Sequence, residues 1–343
     1  MESLQLYSAR ITAIGTYVPE RKLTNHDLER LVETNDEWIV QRTGIRERRI
    51  SEPEQYTSDL CVAAVQDLMH RFNKSVEDVD MILVATSTAD FPFPSTASIV
   101  QAKLGIPSTT GALDLSAACA GFVYALHTAN SFIASGLHRK ILVIGADALS
   151  KITDYTDRTT CVLFGDGAGA VLVERESSSS RGSFLAHHTT TEGEGGIHVY
   201  QTRIANKLHG VELNDSKLLV QNGREVFKWA VRTVPQGVKA LAAKAGLSLD
   251  EIDWFVPHSA NLRIIEPICE RLGIPLDRTL YSLVYFGNTS AASIPLALDL
   301  GFRSGRIQPG DRAALYGFGG GLVQAGLVVR LELDPQASEA KAW

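Results

Sequence analysis

A cysteine and an asparagine occupy similar places in two halves of the chain. Cys119 lies in Ser116-Ala-Ala-Cys-Ala-Gly-Phe, and the glycine of a Ser-Gly pair follows it after 17 positions (136 − 119 = 17). Asn288 lies in Phe286-Gly-Asn-Thr-Ser-Ala-Ala, and the same pair follows at the same spacing (305 − 288 = 17). In both copies a turn-forming stretch leads into an apolar helical pattern. A duplicated fold would bring the two helix starts together, which predicts an active site with a thiol beside a hydrogen-bond donor.

The residue types in this pattern suit nucleophilic chemistry. A cysteine at a helix N-terminus meets the positive end of the helix dipole, so we expect a lowered pKa and a nucleophilic thiolate. His258 ends the apolar segment Trp254-Phe-Val-Pro, where site residues are common in α/β folds. Taken singly, Cys119 is more typical of a packing residue, His258 of a core histidine and Asn288 of a helix N-cap. All three stand at element junctions, and we therefore predict a Cys-His-Asn site.

A glycine run, Gly317-Phe-Gly-Gly-Gly321, ends a predicted strand in the second half. It either presents a backbone N–H to an oxyanion or forms a tight turn that needs positive φ. It is not a phosphate-binding P-loop, because no Gly-Lys-Ser/Thr follows. The stretch Phe164-Gly-Asp-Gly-Ala-Gly169 opens into a strand pattern, which favours a close-packed turn over a dinucleotide site. The absence of G-x-S-x-G from the sequence disfavours an ordinary serine hydrolase.

A second pair of segments extends the duplication. Both 75–84 and 248–256 are acidic loops that lead into short apolar strands, and predicted helices over 59–72 and 225–245 precede them, with a break or kink at Pro235. Strands that alternate with helices predict an α/β fold with a parallel or mixed sheet covered on both faces. We place the halves at residues 1–176 and 177–343, joined by the polar stretch 176–183, and expect the polar tail 334–343 to fray.

Composition limits the possible partners. The 343 residues carry a net charge of −6, which gives no support for nucleic-acid binding. No apolar run is long enough to span a bilayer, and the N-terminus lacks the features of a signal peptide, so we expect a cytoplasmic protein. The other cysteines, Cys61, Cys161 and Cys269, lie in apolar patterns and show no metal-ligand spacing, so we expect small buried hydrophobes. The densest basic stretch runs from Arg42 to Arg49, close to Trp38, and suits a phosphate and a planar base.

Taken together, these motifs resemble the β-ketoacyl-acyl carrier protein synthase III family of the thiolase-like superfamily. The likeness runs from Ile11 to Val329 and is greatest to the forms of low-GC Gram-positive bacteria. The resemblance implies a duplicated αβαβα layered fold with mixed five-stranded sheets. The matching motifs are Asn35-Asp-Glu-Trp-Ile, Arg42-Thr-Gly-Ile-Arg46, 114–121, Thr156-Asp-Arg, 164–169, Pro257-His-Ser-Ala-Asn-Leu-Arg263, Gly287-Asn-Thr-Ser and Phe318-Gly-Gly-Gly.

The resemblance also implies an activity and a role for each site residue. A short acyl-CoA would acylate Cys119, and the acyl group would condense with malonyl-acyl carrier protein on loss of carbon dioxide, in a homodimer that needs no metal or redox cofactor. His258 and Asn288 would bind the malonyl thioester carbonyl, and the N–H groups of Cys119 and Gly320 would form the oxyanion hole. The remaining roles implied are coenzyme A binding by Trp38, Arg42, Arg158, Gly223 and Asn261, an acyl pocket with Phe318 and with Phe93 reaching across the dimer, and carrier-protein docking by Lys228 and Arg263.

Within this resemblance, Trp38 and Arg158 would sandwich the adenine ring. A thiolase would carry a second cysteine between Gly317 and Gly321, and none occurs. A 3-hydroxy-3-methylglutaryl-CoA synthase would need a glutamate base, and Glu174 and Glu176 lie too far along the strand pattern. Two alternatives stay open: a related condensing or acyl-transferring enzyme of secondary metabolism, and a non-catalytic subunit that binds acyl chains or carrier protein. The pair His187-His188 and residues 218–222 match the family less clearly, which leaves the acyl preference open.

Overall fold

The structure is a computed structural model that describes residues 7–176 and 182–333. Fifteen strands lie in this part of the chain: β1 Ala9–Tyr17, β2 Lys22–Thr24, β3 Glu47–Arg49, β4 Met81–Ala85, β5 Gly111–Leu115, β6 Lys140–Ala148, β7 Asp166–Arg175, β8 Phe184–Thr191, β9 Val199–Tyr200, β10 Lys207–Leu208, β11 Val211–Glu212, β12 Val220–Gln221, β13 Trp254–Pro257, β14 Arg312–Gly319 and β15 Val323–Arg330. Ten α-helices accompany them: α1 Asn25–Leu28, α2 Asp36–Thr43, α3 Thr57–Phe72, α4 Thr96–Lys103, α5 Gly121–Ala134, α6 Arg158–Cys161, α7 Gly223–Ala245, α8 Leu262–Leu272, α9 Leu283–Phe286 and α10 Ser293–Arg303.

Two sheets of the same topology confirm the predicted duplication. The first has the order β1-β7-β6-β4-β5, with β4 parallel to β5 and β6 and with β7 antiparallel to β6 and β1. The second has the order β13-β14-β15-β8, with one parallel pair followed by two antiparallel pairs. The place of β5 is taken by a single parallel bridge between Phe255 and Thr279. The second sheet therefore has four described strands and not five, because a 3-10 turn over 276–278 and helix α9 leave few extended residues between them.

The elements stack in the predicted five layers. Helices α5 and α10 lie between the sheets and contact strands of both. Helix α3 covers the outer face of the first sheet, and α7 covers that of the second. Helix α3 turns Leu60, Ala64 and Leu68 inward at helical spacing, which places one apolar stripe against the sheet. Such burial on both faces accounts for the nearly continuous apolar runs in β4 and β6.

Helix α7 is continuous through Pro235, so of the predicted break or kink the break is absent. A proline in a helix frees the carbonyl four residues earlier, here that of Val231. The Nη1 of Arg271 in α8 donates to that carbonyl at 2.9 Å. The neighbouring helix thus supplies the missing hydrogen bond, and the apolar face of α7 keeps its packing on the second sheet.

The remaining predictions about chain organisation have mixed outcomes. Cys61, Cys161 and Cys269 are buried, as predicted. Strand β7 ends at Arg175 and β8 begins at Phe184, but residues 177–181 and the tail 334–343 lie outside the described residues, so the boundary and the frayed tail stay predictions. In the described part of the chain, no helix has the length and apolar character needed to cross a membrane.

Candidate active site

The two turns predicted to meet do meet, but in a different register. Cys119 lies in a 3-10 turn over 118–120 that leads directly into α5. A matching 3-10 turn over 290–292 leads into α10, and both turns begin with a left-handed residue, Ala118 (φ 44°) and Ser290 (φ 49°). Aligned on these residues, Cys119 corresponds to Ala291, and Asn288 precedes the second turn. The predicted equivalence of Cys119 and Asn288 is therefore wrong: α10 has 11 residues and α5 has 14, and this difference produces the equal spacing.

One cavity of about 490 Å³ nevertheless unites the candidate residues from both halves. Cys119 reaches it from the start of α5, His258 from the end of β13, and Asn288 from the loop before the second turn. Phe318, Gly320 and Asn261 also line the cavity. The structure thus brings together a thiol, an imidazole and a carboxamide that lie up to 169 positions apart in the chain (288 − 119 = 169).

The Cys119 thiol does not have the lowered pKa that its helix start predicts. Enclosure by protein raises its pKa to about 12, because a thiolate there would be poorly solvated, and the negative charge of Asp147 acts in the same direction. A side-chain hydrogen bond from Ser290 opposes the rise but does not cancel it. The folded environment of this half-buried thiol therefore opposes the effect of the helix start on its pKa.

His258 is held as a neutral ring with one nitrogen committed. Burial lowers the pKa of His258 to about 3, and the rings of His258 and Phe318 meet edge to face with 5.4 Å between their centroids. The Nδ1 atom lies 2.8 Å from the Oγ of Ser293, which already accepts the N–H of Ser259 at 3.3 Å. This leaves the Ser293 proton for Nδ1 and favours the tautomer with hydrogen on Nε2. The ring then retains one N–H donor.

Asn288 has a fixed side chain whose amide group stays available. Its Oδ1 accepts the backbone N–H of Ser290 at 2.9 Å, which directs the NH₂ group away from that bond. Its backbone N–H donates to the Leu163 carbonyl at 2.8 Å, and its carbonyl accepts the N–H of Gly165 at 3.0 Å. Both partners lie in the first half of the chain. Asn288 is not the N-cap of α10, the alternative role considered for it, because that position is occupied by Ala292.

The glycine run allows β14 to pass close behind the nucleophile. A Cβ on Gly319 would lie 2.9 Å from the Cys119 Sγ, and one on Gly317 would lie 2.6 Å from the Ala120 Cα. Of the run, only Gly321 has positive φ, so close approach explains Gly317 and Gly319 better than turn geometry does. Gly320 follows the end of β14 and lines the cavity, and its role in an oxyanion hole stays a prediction.

A surface groove continues outward from the cavity and contains several residues predicted to bind coenzyme A. It is lined by Arg42, Gly223, Asn261 and Arg263, and it shares Leu163, Gln221, Asn261 and Ile264 with the cavity. Asn261 is the N-cap of α8, and its Oδ1 accepts the Ile264 N–H at 3.0 Å, so only its NH₂ group is left for a ligand. Gly223 is the first residue of α7.

Trp38 and Arg158 stack directly on each other in this structure. The Arg158 Cζ lies 4.9 Å from the Trp38 ring centroid, and that of Arg42 lies 6.0 Å from it. A separation of 4.9 Å is that of direct contact and leaves no space for a third ring. The predicted adenine sandwich therefore requires Arg158, whose Nη1 now donates to the Glu33 carbonyl at 2.9 Å, to move away from the indole.

The remaining candidates lie on the surface. Lys228 is paired with Glu225 at 2.7 Å, and the Arg263 Nε donates to the Gln41 carbonyl at 2.5 Å. Phe93 is 86% exposed and lies outside the lining of the cavity in its own chain, where Phe91 and Pro92 take part instead. Phe93 is thus no part of this chain's acyl pocket, and its reach across a dimer stays a prediction.

Three residues that sequence reasoning missed support the site: Ser290, Ser293 and Asp147. Ser293 fixes His258, and Ser290 bonds to both Cys119 and the buried Asp147. The only available signal was Asp147 itself, an acidic residue that continues the apolar run Lys140-Ile-Leu-Val-Ile-Gly-Ala. A charged residue in a buried strand requires bonding partners and often marks a site.

Comparison with known proteins gives consistent matches over nearly the whole chain. Residues 113–193 match the family 3-oxoacyl-[acyl-carrier-protein (ACP)] synthase III, and residues 242–331 match the C-terminal domain of that family. The chain is 62% identical to a β-ketoacyl-[acyl-carrier-protein] synthase III 2 of Halalkalibacterium halodurans, over 95% of this chain and 98% of that protein. The synthase III structure from Thermus thermophilus superposes with a TM-score of 0.89 at 46% identity, covering 94% of this chain and 98% of the other. The priming β-ketosynthase of the R1128 polyketide pathway also gives 0.89, at 34% identity and coverage of 98% and 99%.

Proposed function

The chain belongs to the 3-oxoacyl-[acyl-carrier-protein] synthase III family, and on this premise we propose that it condenses a short acyl-CoA with malonyl-acyl carrier protein through an acyl-Cys119 intermediate. The product is a 3-oxoacyl-acyl carrier protein, the first elongated intermediate of fatty-acid synthesis. The observation that carries the proposal is the single cavity in which Cys119, neutral His258 and the free amide of Asn288 meet.

The first half-reaction is acyl transfer. The Cys119 sulfur attacks the thioester carbonyl of the acyl-CoA, and the coenzyme A thiol leaves. Since the pKa of Cys119 is about 12, its proton departs only as the S–C bond forms and is balanced by the proton that the leaving thiolate takes up. One thioester replaces another, so the acyl-enzyme keeps its reactivity. The N–H groups of Cys119 and Gly320 would hold the tetrahedral oxyanion.

The second half-reaction forms the carbon–carbon bond. Loss of carbon dioxide from the malonyl thioester leaves its electron pair on an enolate, whose oxygen accepts the N–H of His258 and the amide of Asn288. Because His258 stays neutral, it donates without bringing a full positive charge, and burial in the cavity strengthens both hydrogen bonds. The enolate carbon then attacks the acyl group, and Cys119 leaves as a thiolate that takes up a proton.

The proposal includes partners that suit this chemistry. Neither half-reaction moves electrons between redox states, so the scheme uses no redox cofactor, and it assigns the binding of the oxyanion and of the enolate oxygen to N–H donors and not to a metal. Acyl-CoA would lie in the groove beside Arg42 and Trp38, and the acidic carrier protein would dock near Lys228 and Arg263. We further propose a cytoplasmic homodimer that binds neither nucleic acid nor membranes.

Intact-protein mass spectrometry tests the acyl-enzyme. The wild-type protein should gain one acetyl or isobutyryl group from the corresponding CoA thioester, and Cys119→Ala should gain none. His258→Ala and Asn288→Ala should still become acylated but decarboxylate malonyl-acyl carrier protein about 10²–10³-fold more slowly, as expected for the loss of a donor to an oxyanion. Acylation of Cys119→Ala, or full decarboxylation by His258→Ala, would contradict the assigned roles.

The same experiment separates the alternatives. Similarity to a polyketide priming β-ketosynthase favours a second candidate, a priming enzyme with an unusual starter. That enzyme would be acylated by a different CoA thioester from a panel and by neither of the first two. A correctly folded protein that no member of the panel acylates would instead be a non-catalytic binding subunit.

A further inference from the structure

A second cavity, of about 640 Å³, lies apart from the catalytic one. It is bounded by the β2–β3 ribbon, by helix α9 and by the C-terminal half of α10. It shares no lining residue with the catalytic cavity or with the groove that continues from it. Its volume is within the range of small-molecule sites, roughly 300–1,000 Å³. The cavity is therefore a separate candidate binding site, to which no step of the proposed reaction is assigned.

Apolar side chains form one part of its lining. Leu280, Phe286 and Ala297 are buried, and Val284 and Leu300 are partly buried beside them. A ligand that covers this surface gains the free energy of removing apolar area from water, at roughly 25 cal/mol per Å². A small inorganic ion would leave most of the surface uncovered. The lining therefore favours a ligand with an apolar body.

Cations form the other part of the lining. Lys22 and Arg49 stand directly opposite each other in the β2–β3 pair, where like charges repel. They share one carboxylate: the Glu47 Oε1 lies 3.1 Å from the Lys22 Nζ and 3.6 Å from the Arg49 Nε. Arg306 also lines the cavity, and its Nη2 donates to a neutral acceptor, the Asp277 carbonyl, at 2.6 Å. Three cations against one carboxylate leave two positive charges in excess (3 − 1 = 2), in a protein whose net charge is −6.

A fourth cation of the lining, Arg303, does not change this excess. Its Nε lies 2.6 Å from Asp299 and its Nη2 lies 2.8 Å from Asp67. The same two carboxylates also pair with Arg71, at 2.7 and 3.1 Å. Two cations and two anions cancel within this group. The excess charge of the cavity therefore comes from Lys22, Arg49 and Arg306.

The hydrogen bonding of Arg49 is incomplete. The residue is only 7% exposed, and in the part of the chain that the structure describes its Nε has no hydrogen-bond partner. Its Nη1 donates to the Pro19 carbonyl at 3.1 Å. The neighbouring Arg48 is also buried, but its Nε and Nη2 donate to the Val162 carbonyl and its Nη1 to the Asn25 side chain. A buried donor without a partner costs free energy, and the Nε–Nη2 edge of a guanidinium is one that forks onto a carboxylate or phosphate. An anion bound on this edge would complete the bonding of Arg49.

We propose that this cavity binds a small amphipathic acid, whose anionic head group pairs with Lys22, Arg49 and Arg306 and whose body packs on the apolar lining. The excess positive charge favours an anion over a neutral molecule, and the apolar lining favours an amphiphile over a free ion. A carboxylate and a phosphate monoester share this chemistry. The proposal goes beyond the condensation reaction and does not depend on Cys119.

Isothermal titration calorimetry with octanoate tests the site in the full-length protein. Octanoate should bind more tightly than octanol, which has the same body without a charge, and more tightly than acetate, which has the charge without the body. Its affinity should fall as salt is raised from about 50 mM to 500 mM, because salt screens the attraction. Octyl phosphate in place of octanoate identifies the head group, since the tighter of the two anions is the one that the site prefers. Binding of neither anion would overturn the proposal.

Three substitutions and a matched control assign the binding to this cavity. Arg49→Lys keeps the charge but loses the fork, and should weaken octanoate binding about tenfold. Lys22→Gln and Arg306→Gln remove exposed charges and should each weaken it about threefold. Lys207→Gln is the control: Lys207 lies in another two-stranded ribbon and pairs with Glu212 at 3.0 Å, but it lies outside the lining. It should leave the affinity unchanged.

A diazirine-bearing analogue of octanoate locates the bound molecule directly. After irradiation, peptide mass spectrometry should find the label within residues 281–286 or 297–304, and excess octanoate should prevent the labelling. Label confined to residues of the catalytic cavity, or an affinity that all three substitutions leave unchanged, would overturn the proposal. If Arg49→Lys does not fold, Lys22→Gln and Arg306→Gln decide. No readout uses acyl-CoA, so failure of the proposed condensation would be recognised separately.

Discussion

The neutral state of His258 predicts how the stability of the protein depends on pH. The folded pKa is about 3 and the ordinary value is 6.5, so between these pH values the unfolded chain binds a proton that the folded protein excludes. The contribution of His258 to stability is therefore fully present above pH 6.5 and is lost as the pH falls. Within this window the free energy of unfolding falls by about 1.4 kcal/mol for each pH unit, which gives a loss of roughly 2 kcal/mol between about pH 6.5 and 5.

The assay is urea unfolding at about pH 7 and pH 5. The wild-type protein should lose roughly 2 kcal/mol more free energy of unfolding over this interval than His258→Gln, which keeps a polar side chain but does not titrate. Contributions from carboxylates are common to both proteins and cancel in the difference. His209→Gln, at an exposed histidine whose ring contacts the Gly193 carbonyl at 3.2 Å, is the control and should lose as much as the wild type. Equal losses in wild type and His258→Gln would refute a neutral, buried His258.

Three further predictions concern packing and binding. Asp299→Ala removes the buried one of two carboxylates that Arg71 and Arg303 share, and Asp67 remains, so the free energy of unfolding should fall by about 1–3 kcal/mol in urea titration; an unchanged free energy would contradict it. Gly319→Ala places a methyl group 2.9 Å from the Cys119 sulfur and should abolish acylation measured by mass, and Gly193→Ala, with open space around it, should not. Trp38→Ala should raise KM for acyl-CoA by about tenfold with kcat nearly unchanged, since stacking contributes to binding and not to the chemical step; an unchanged KM would remove Trp38 from the coenzyme site.

Patterns that depend on local periodicity were predictable from the sequence. Helices α3 and α7 were recognisable from their apolar spacing, and β4 and β13 from the apolar runs that include Val84 and Val256. Element type and fold class follow from such patterns, because buried positions recur with the period of the helix or strand. The three candidate residues of the site were also predictable, since each stands at a junction between elements. The length and type of a helix or strand, and the positions of its ends, depend mainly on residues that are close in the sequence.

Properties that depend on the folded environment were not predictable in this way. The pKa of Cys119 rises because protein encloses it and Asp147 lies nearby, and neither fact is visible in Ala-Ala-Cys-Ala-Gly. The equal spacing after Cys119 and Asn288 was misleading. Helix α10 is three residues shorter than α5 (14 − 11 = 3), and Asn288 lies three residues before Ala291, the true counterpart of Cys119 (291 − 288 = 3). The predicted role of Phe93 depends on a second chain, and its 86% exposure in its own chain neither supports nor contradicts that role.

The site depends on how closely the two halves approach each other, and small residues permit that approach. A Cβ on Gly145 would lie 2.4 Å from the Ala291 carbonyl oxygen, and one on Gly317 would lie 3.1 Å from the Cys119 carbonyl oxygen. These contacts bring β6 against the second turn and β14 against the turn that carries Cys119, so Asp147, near the end of β6, accepts the N–H of Ala291 at 3.2 Å. The same closeness encloses Cys119 and raises the pKa of its thiol. A looser junction would ease ionisation of the sulfur, but it would also separate Cys119 from Asn288 in the cavity that both residues line.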